Sequence, residues 1–446
     1  MQPDNLSFDN KFSRLGEVFF TRLEPTGFAT PFLVNYNLDA AALIKLDELE
    51  IDYFCGNKLI SGGDYLASVY SGHQFGHYVP QLGDGRAIMI GEASGWEVQL
   101  KGSGKTPYSR FGDGRAVLRS CIREYLCSEA MHNLDIPTTR ALCIIGSDED
   151  VQRETVEKAA MLTRLAPSHI RFGHFEYFYY TGQHKELREL VDFVIEHYYP
   201  GASHEEFFEQ VVLKTAALIA QWQAVGFAHG VMNTDNMSIL GLTIDYGPFG
   251  FMEEYDPAYI CNHSDHSGRY AFDQQPYIGL WNLHALAQSL APVVSNERAG
   301  EILQKYQPEF ARVYTKLMWN KLGFEEAQEP QLLGQLLDLM EKNRTDYTNF
   351  FRKLSSGEFP QGFDAWYQGY LKNKPNRILM LRSNPKYILR NYMAENAIKE
   401  ANNGDYSEIT KLLKILQKPY DEQAENEVYA SNSPNWAKNL EVSCSS

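Results

Sequence analysis

The sequence predicts an α+β chain in which a strand-rich lobe precedes a helical lobe, with an extension at each end. Three observations carry this. Residues 82–92 and 96–101 alternate apolar and polar side chains around Ala93-Ser-Gly95, the pattern of a β-hairpin. Residues 205–227 place Phe208, Val211, Val212, Leu218, Ile219, Trp222 and Val225 at helical spacing. The chain that leaves this helix, His229-Gly-Val-Met-Asn-Thr-Asp-Asn236 and then Asp245-Tyr-Gly247, gathers Asn and Asp where the helical period stops.

The elements follow in order. A length of 446 residues points to two or three packed units. Residues 1–60 mix short apolar pieces with Pro and Gly and are expected to form a wrapping N-terminal extension. Residues 61–150 carry the hairpin, then a helix at about 116–134, introduced by a Gly-rich loop and stopped before Pro137, and a strand near 141–145. Residues 151–330 open with an apolar stretch at 160–165 that continues the mixed lobe, then give the long helix, the polar loops and an apolar helix at about 280–294. Residues 331–446 are expected to be helical to about Gln417 and to end in a polar, irregular tail that contains Cys444.

Composition narrows the function. A formal charge of −16 argues against bulk affinity for nucleic acid or an anionic membrane. No run approaches the roughly 18 apolar residues of a membrane span, and the first residues lack the basic and apolar regions of a secretory signal, so a cytoplasmic protein is expected. The cysteines are dispersed without a Cys-x-x-Cys pair, which removes a zinc ribbon or redox dithiol. Cys444, near the end of the tail, is the thiol expected to be exposed.

The loop after the long helix has the outline of a protein-kinase catalytic loop and metal triplet, His-Arg-Asp-x-x-x-x-Asn and Asp-Phe-Gly. Val231 stands where a kinase has its catalytic aspartate. Lys101 ends a hairpin strand as the kinase phosphate lysine does, and Glu124 in the next helix is its natural ion-pair partner. A protein-kinase-like two-lobed fold is therefore the expectation. Asn236 and Asp245 offer hard oxygens suited to Mg²⁺. Asp235, the one carboxylate between His229 and Asp245, is the candidate base for an incoming hydroxyl.

Other patterns weigh less. Gly104-Lys105-Thr106 ends like a P-loop, but Gln99 occupies the required glycine position, and Ile88 breaks a dinucleotide fingerprint at Gly83-Asp-Gly85. What remains is a repeated Gly-Asp-Gly-Arg, at Gly83–Arg86 and Gly112–Arg115, whose backbone amides and arginines suit an anion. Arg164 and Arg171 are candidate bidentate phosphate ligands. His263-Ser-Asp-His266 reads as a polar loop rather than a metal site.

Taken together, Tyr70-Ser-Gly-His-Gln-Phe-Gly76, Gln81-Leu-Gly-Asp-Gly-Arg86, the 101–115 loop, Gly226–Asn236, Asp245-Tyr-Gly-Pro-Phe-Gly250 and Cys261-Asn-His-Ser-Asp-His266 resemble the selenoprotein O family, whose bacterial branch is the YdiU family. The resemblance implies a pseudokinase fold that binds ATP flipped relative to kinases and transfers AMP to Ser, Thr or Tyr hydroxyls of proteins, with Mg²⁺ or Mn²⁺ and with room for UTP as donor. By the same resemblance, Gly83, Gly85, Arg86, Lys101, Asp113, Gly114, Arg164, Arg171 and Asp245 line the nucleotide. Asn236 and Asp245 hold the metal, and Asp235 accepts the proton. Cys444 occupies the position of selenocysteine in eukaryotic members, which raises reversible pairing with Cys261. An atypical kinase transferring the γ-phosphoryl group, and a dead nucleotide-binding scaffold, are the competing expectations.

Overall fold

The N-terminal segment closes both edges of the main sheet. The computed structural model describes residues 2–442. Its first strands are β1 (Phe20–Arg22), β2 (Phe32–Tyr36), β3 (Leu66–Ser68), β4 (Gly72–Gln74), β5 (His77–Val79), β6 (Ala87–Ala93), β7 (Trp96–Lys101), β8 (Ala116–Val117), β9 (Arg140–Gln152) and β10 (Val156–Ala166). Among the described residues the main sheet runs β1-β3-β6-β7-β10-β9-β2, antiparallel throughout, with β8 joined to β10. Residues 1–60 thus do more than wrap: β1 and β2 cap the two ends of a sheet whose backbone would otherwise stay unpaired. Their shortness hid them among Pro and Gly.

The expected hairpin is β6–β7. Its two-residue loop, Ser94-Gly95, has φ of 52° and 84°, the left-handed geometry that matches the twist of paired strands. Residues 82–86 lie outside it, in a turn. The strands expected near 141–145 and 160–165 are the inner parts of a much longer hairpin, β9–β10. Residue 150, where the sequence reading divides the lobes, falls inside β9, and the sheet continues to Ala166. The polar run Ser147-Asp-Glu-Asp150 gave no apolar alternation to reveal that extension.

Among the helices, α1 (Leu38–Leu43) and α2 (Ile51–Phe54) cover one sheet face, packing Phe54 and Ile44 on Val98, Leu100 and Ile145. The opposite face, with Leu162 and Ile144, carries α3 (Leu118–Asn133). Then come α4 (Phe172–Tyr180), α5 (His184–Tyr198), α6 (His204–Val225) and α7 (Gln275–Ser289), which share a core through Phe175, Val191, Val211 and Leu286. The long helix α6 starts at a capping box, Ser203 with Glu206, and stops at Gly226, whose φ of 72° is the left-handed C-cap. Between α6 and α7 the chain is mostly loop, with β11 (Phe227–Ala228) paired to β12 (Gly250–Phe251).

Further on, α8 (Asn296–Leu303), α9 (Tyr306–Lys321), α10 (Pro330–Lys342), α11 (Tyr347–Ser355), α12 (Asp364–Leu371) and α13 (Arg377–Ser383) lead to α14 (Asn391–Asn402) and α15 (Ser407–Leu416). Helices α9 to α13 enclose Trp319, Phe351 and Trp366. The last two helices return to the sheet and pack Met393, Ile409 and Leu412 against α3. Asn391 Oδ1 accepts from Arg123 of α3 across 3.2 Å, and Thr410 Oγ1 accepts from Asn35 of β2 across 2.7 Å. The tail after α15 is irregular with short 3-10 turns. No described helix is long and apolar enough to cross a membrane.

Candidate active site

Strand register brings the first charges together. Leu162 of β10 faces Lys101 of β7, and Arg164 faces Gln99, so Lys101, Gln99 and Arg164 lie on the sheet face covered by α3. Lys101 Nζ donates to Glu124 Oε2 of α3, and Arg164 Nη1 donates to Glu124 Oε1 across 3.1 Å. Arg164 Nε is fixed by Gln99 Oε1 at 2.7 Å. The expected Lys101–Glu124 pair is formed, and it is buried. Burial pushes the Lys101 ammonium below its ordinary range, and the Glu124 charge opposes that shift.

Asp245 closes the cluster. It has φ of 56°, a left-handed position that Asp tolerates better than most residues. Its carboxylate accepts from Arg164 Nη1 at 2.5 Å and from Arg171 Nη1, with Lys101 Nζ 4.0 Å away. Burial disfavours the Asp245 charge, but Arg171, Arg164 and Lys101 outweigh it and hold the carboxyl well below its usual range. Arg86 approaches Lys101 closely enough to destabilise its charge. Four cationic side chains therefore face two carboxylates, Glu124 and Asp245. The excess positive charge is what a multiply charged anion needs.

These groups line a cavity of about 810 Å³, inside the range of roughly 300–1,000 Å³ usual for small-molecule sites. Gly83, Gly85 and Arg86 line it from the turn before β6, and Asp113 and Gly114 from the loop before β8. At Gly114 (φ 76°) a Cβ would stand 2.2 Å from the Gly104 carbonyl, so only glycine lets the two arms of that loop touch. The two Gly-Asp-Gly-Arg turns are not equivalent. Arg115 is tied to Glu149 at 2.9 Å and to the carbonyls of Thr26 and Gly27, so it holds the loop instead of offering free charge. Asp113 is engaged by Arg153 at 2.7 Å.

The far wall is the loop after α6. His229 Nε2 lies 2.9 Å from the Ile244 carbonyl and its backbone N–H donates to Gln275 Oε1 at 2.9 Å, pinning the loop to the segment that ends at Asp245. Asp235 and Asn236 sit on a single 3-10 turn, Thr234–Asn236. The Asn236 amide donates to the Val231 carbonyl at 3.0 Å, which leaves its carbonyl oxygen as the atom that could meet a cation. Asn236 and Asp245, which border the same cavity, offer hard oxygens that would suit a divalent cation together with phosphate oxygens. Asp235 is buried, and burial raises its carboxyl to about 7, moderated by the Gln74 hydrogen bond and Arg171. Its Oδ2 accepts from Gln74 Nε2 at 3.1 Å, while Oδ1 is a buried oxygen without a partner. Arg171 donates to the Asp235 carbonyl at 2.8 Å and so couples this loop to Asp245.

All the residues expected to line the nucleotide or hold the metal border the one cavity. Gln74, Phe75 and Tyr108 line it too and were not anticipated. Gln74 lay within a quoted motif, but nothing local in the sequence marks its contact with Asp235. Cys261 is buried behind the 228–230 loop, with Sγ 3.5 Å from the Ala228 carbonyl. Cys444 lies outside the described residues, and so does any contact it makes. His263 and His266 have ring centres 6.3 Å apart, and among the described residues no group of three or more His, Cys, Asp and Glu is placed to hold a metal.

A model of the SelO family, described as "Protein adenylyltransferase SelO", matches residues 3–368. The chain belongs to this family. Similarity to individual SelO-family proteins extends further. The "Protein nucleotidyltransferase YdiU" of Thiobacillus denitrificans is 52% identical over 484 aligned positions, covering 99% of each chain. The proteins of the same name from Thioalkalivibrio sulfidiphilus and Stutzerimonas stutzeri are 49% and 48% identical, again over 99% of both chains. The SelO model stops before α14 and α15, yet these helices brace α3, the helix that supplies Glu124.

Proposed function

We propose that this chain transfers AMP from ATP to Ser, Thr or Tyr hydroxyls of proteins, within a kinase-like two-lobed arrangement. In it, the sheet with Lys101, Glu124 and Arg164 forms one wall, and the loop after α6 forms the other. The observation that carries the reading is the pairing of a cation cluster with a displaced base. Lys101, Arg86, Arg164 and Arg171 line the cavity, Val231 stands at the kinase base position, and Asp235, its carboxyl raised to about 7 by burial, lines the same cavity. Membership of a family described by adenylyl transfer supports the same chemistry.

In the reaction, the acceptor oxygen attacks the α-phosphorus of ATP. The bond from that phosphorus to the oxygen bridging the α- and β-phosphates breaks, pyrophosphate departs, and the hydroxyl proton passes to the Asp235 carboxylate. With burial raising Asp235 to about 7, that carboxylate is a stronger base than an exposed one. Arg164, Arg171 and Lys101 hold phosphate oxygens, and Glu124 keeps Lys101 and Arg164 aligned. Asn236 and Asp245 would hold Mg²⁺ or Mn²⁺, which when bound would offset the negative charge of the phosphates.

ATP labelled at the α- or the γ-phosphate tests this on an acceptor protein. Label retained only from the α position, and lost in Asp235→Ala and Asp245→Ala, is the expected result. Label retained from γ would establish phosphoryl transfer, and label from neither position a binding scaffold. UTP labelled at the α-phosphate, with Mn²⁺, asks the same of UMP transfer.

A further inference from the structure

We propose that the surface flanking Asp235, made by the β4–β5 turn with Arg269 and Trp281, docks an acidic segment of the acceptor protein. The inference rests on the AMP-transfer reading and names the chemistry of its second substrate.

The turn is built under strain beside the cavity. Strands β4 and β5 are joined by Phe75-Gly76, with φ of 50° and 82°. A left-handed two-residue turn favours Asn, Asp or Gly at its first position, and a bulky aromatic there is strained. The surrounding structure holds it in place: the Phe75 N–H donates to Asn233 Oδ1 at 3.2 Å and to the Tyr270 hydroxyl at 3.0 Å. The consequence is an aromatic ring, 37% exposed, at the cavity wall next to Gln74 and Asp235.

Outward from Phe75 the surface is aromatic with one uncompensated cation. Phe75 packs on Tyr270 (ring centres 5.1 Å), and the Arg269 guanidinium lies 4.7 Å above the Trp281 ring and 5.8 Å above Tyr270. It also rests on Gly76, where a Cβ would come within 3.3 Å of it. The His73 and Trp281 ring centres lie 5.4 Å apart, edge to face. Arg269 makes no ion pair among the described residues, and its Nε is buried without a partner. The nearby carboxylates are engaged elsewhere. Asp265 accepts from the Arg269 and Tyr270 backbone N–H groups, and Glu176 is held by His73 and Thr234. In a chain of net charge −16, a stacked guanidinium that makes no described ion pair is a local site for a carboxylate. An extended segment that lays its hydroxyl against Asp235 crosses Phe75, and a Glu or Asp a few residues away then reaches Arg269.

Short fluorescein-labelled peptides with a central Ser and flanking Glu, Gln or Lys test this by anisotropy on the full chain with ATP present. The wild type should bind the Glu peptide about tenfold more tightly than the Gln peptide, the effect of one charge-assisted contact. Arg269→Gln should remove the difference, and Arg269→Glu should favour the Lys peptide. Thermal melting with and without ATP reports whether the variants keep their fold. Equal wild-type binding of all three peptides, no binding of any, or a Glu preference surviving in Arg269→Glu overturns the proposal. Transfer from α-labelled ATP to the same peptides separates the two readings. Charge-dependent binding without transfer keeps the docking surface and removes the AMP reading, whereas transfer indifferent to flanking charge removes the docking surface.

Discussion

The side-chain amide of Gln74 donates to Asp235 Oδ2 across 3.1 Å, joining residues 161 apart in the chain. The bond holds one carboxylate oxygen, and the other, Oδ1, is buried beside Gly72 without a partner. Gln74 therefore fixes the orientation of the proposed base. Gln74→Ala should lower kcat by about tenfold to a hundredfold while the KM for ATP changes little, because lost orientation weakens the chemical step rather than nucleotide binding. Steady-state kinetics with α-labelled ATP read this. An unchanged kcat would remove Gln74 from the mechanism.

Asp245 is the acidic counterweight to Arg164, Arg171 and Lys101. Asp245→Ala leaves those cations facing Glu124 alone, and a buried charge without its partner costs about 3 kcal/mol or more. Without ligand the variant should melt at lower temperature than the wild type. Chelated of metal, it should gain more thermal stability from ATP than the wild type does, since the phosphates then replace the missing carboxylate. Calorimetry in EDTA with and without ATP decides the matter, and equal ATP-induced shifts would contradict it.

Lys321 lies in the core formed by α9 to α13, with Nζ 4.4 Å from the centre of the Phe351 ring and 5.6 Å from that of Tyr347. Burial pushes its ammonium from the ordinary 10.5 down to about 7, and a cation–π contribution of about 2 kcal/mol offsets only part of the cost of desolvation. Between those two pH values the unfolded chain binds a proton that the folded chain does not, so stability rises with pH. Lys321→Met should raise stability at pH 6 by an amount on the order of a few kcal/mol, with the gain fading towards pH 10. Denaturant unfolding across that range tests it, and a gain independent of pH would show that Lys321 does not titrate in the core.

Where local pattern and geometry agreed, the sequence was readable. The β6–β7 hairpin follows from alternation around Ser94-Gly95, and α6 from the helical spacing of Phe208 to Val225 and its stop at Gly226. Lys101 was legible because it ends a periodic strand, and Asp235, Asn236 and Asp245 because they occupy motif positions in the loop after α6. What escaped notice depends on contacts between distant segments. The edge strands β1 and β2 are too short for periodicity, and their partners lie far along the chain. The two Gly-Asp-Gly-Arg turns look alike in sequence, yet Glu149 decides that Arg115 is a strut while Arg86 faces the cavity. The bracing of α3 by α14 and α15 likewise joins residues hundreds of positions apart.

Close packing against Asp235 predicts a sharp mutational effect. Gly72 of β4 passes so close to the loop after α6 that a Cβ there would stand 2.7 Å from Asp235 Oδ1 and 2.9 Å from the Asp235 Cβ. Real Cβ atoms do not come so near, so an alanine must displace either the carboxylate or the strand. The side chains that grip Asp245 come from β7, β10 and the residue before α4, whereas the three atoms nearest the added methyl all belong to Asp235. Gly72→Ala should therefore reduce AMP transfer by about a hundredfold, as expected for a base moved by roughly 1 Å, while ATP still raises the melting temperature as it does in the wild type. Transfer at the wild-type rate would mean that the position of Asp235 does not limit the chemistry. A lost thermal response to ATP would mean that the added methyl disturbs the nucleotide wall as well as the base.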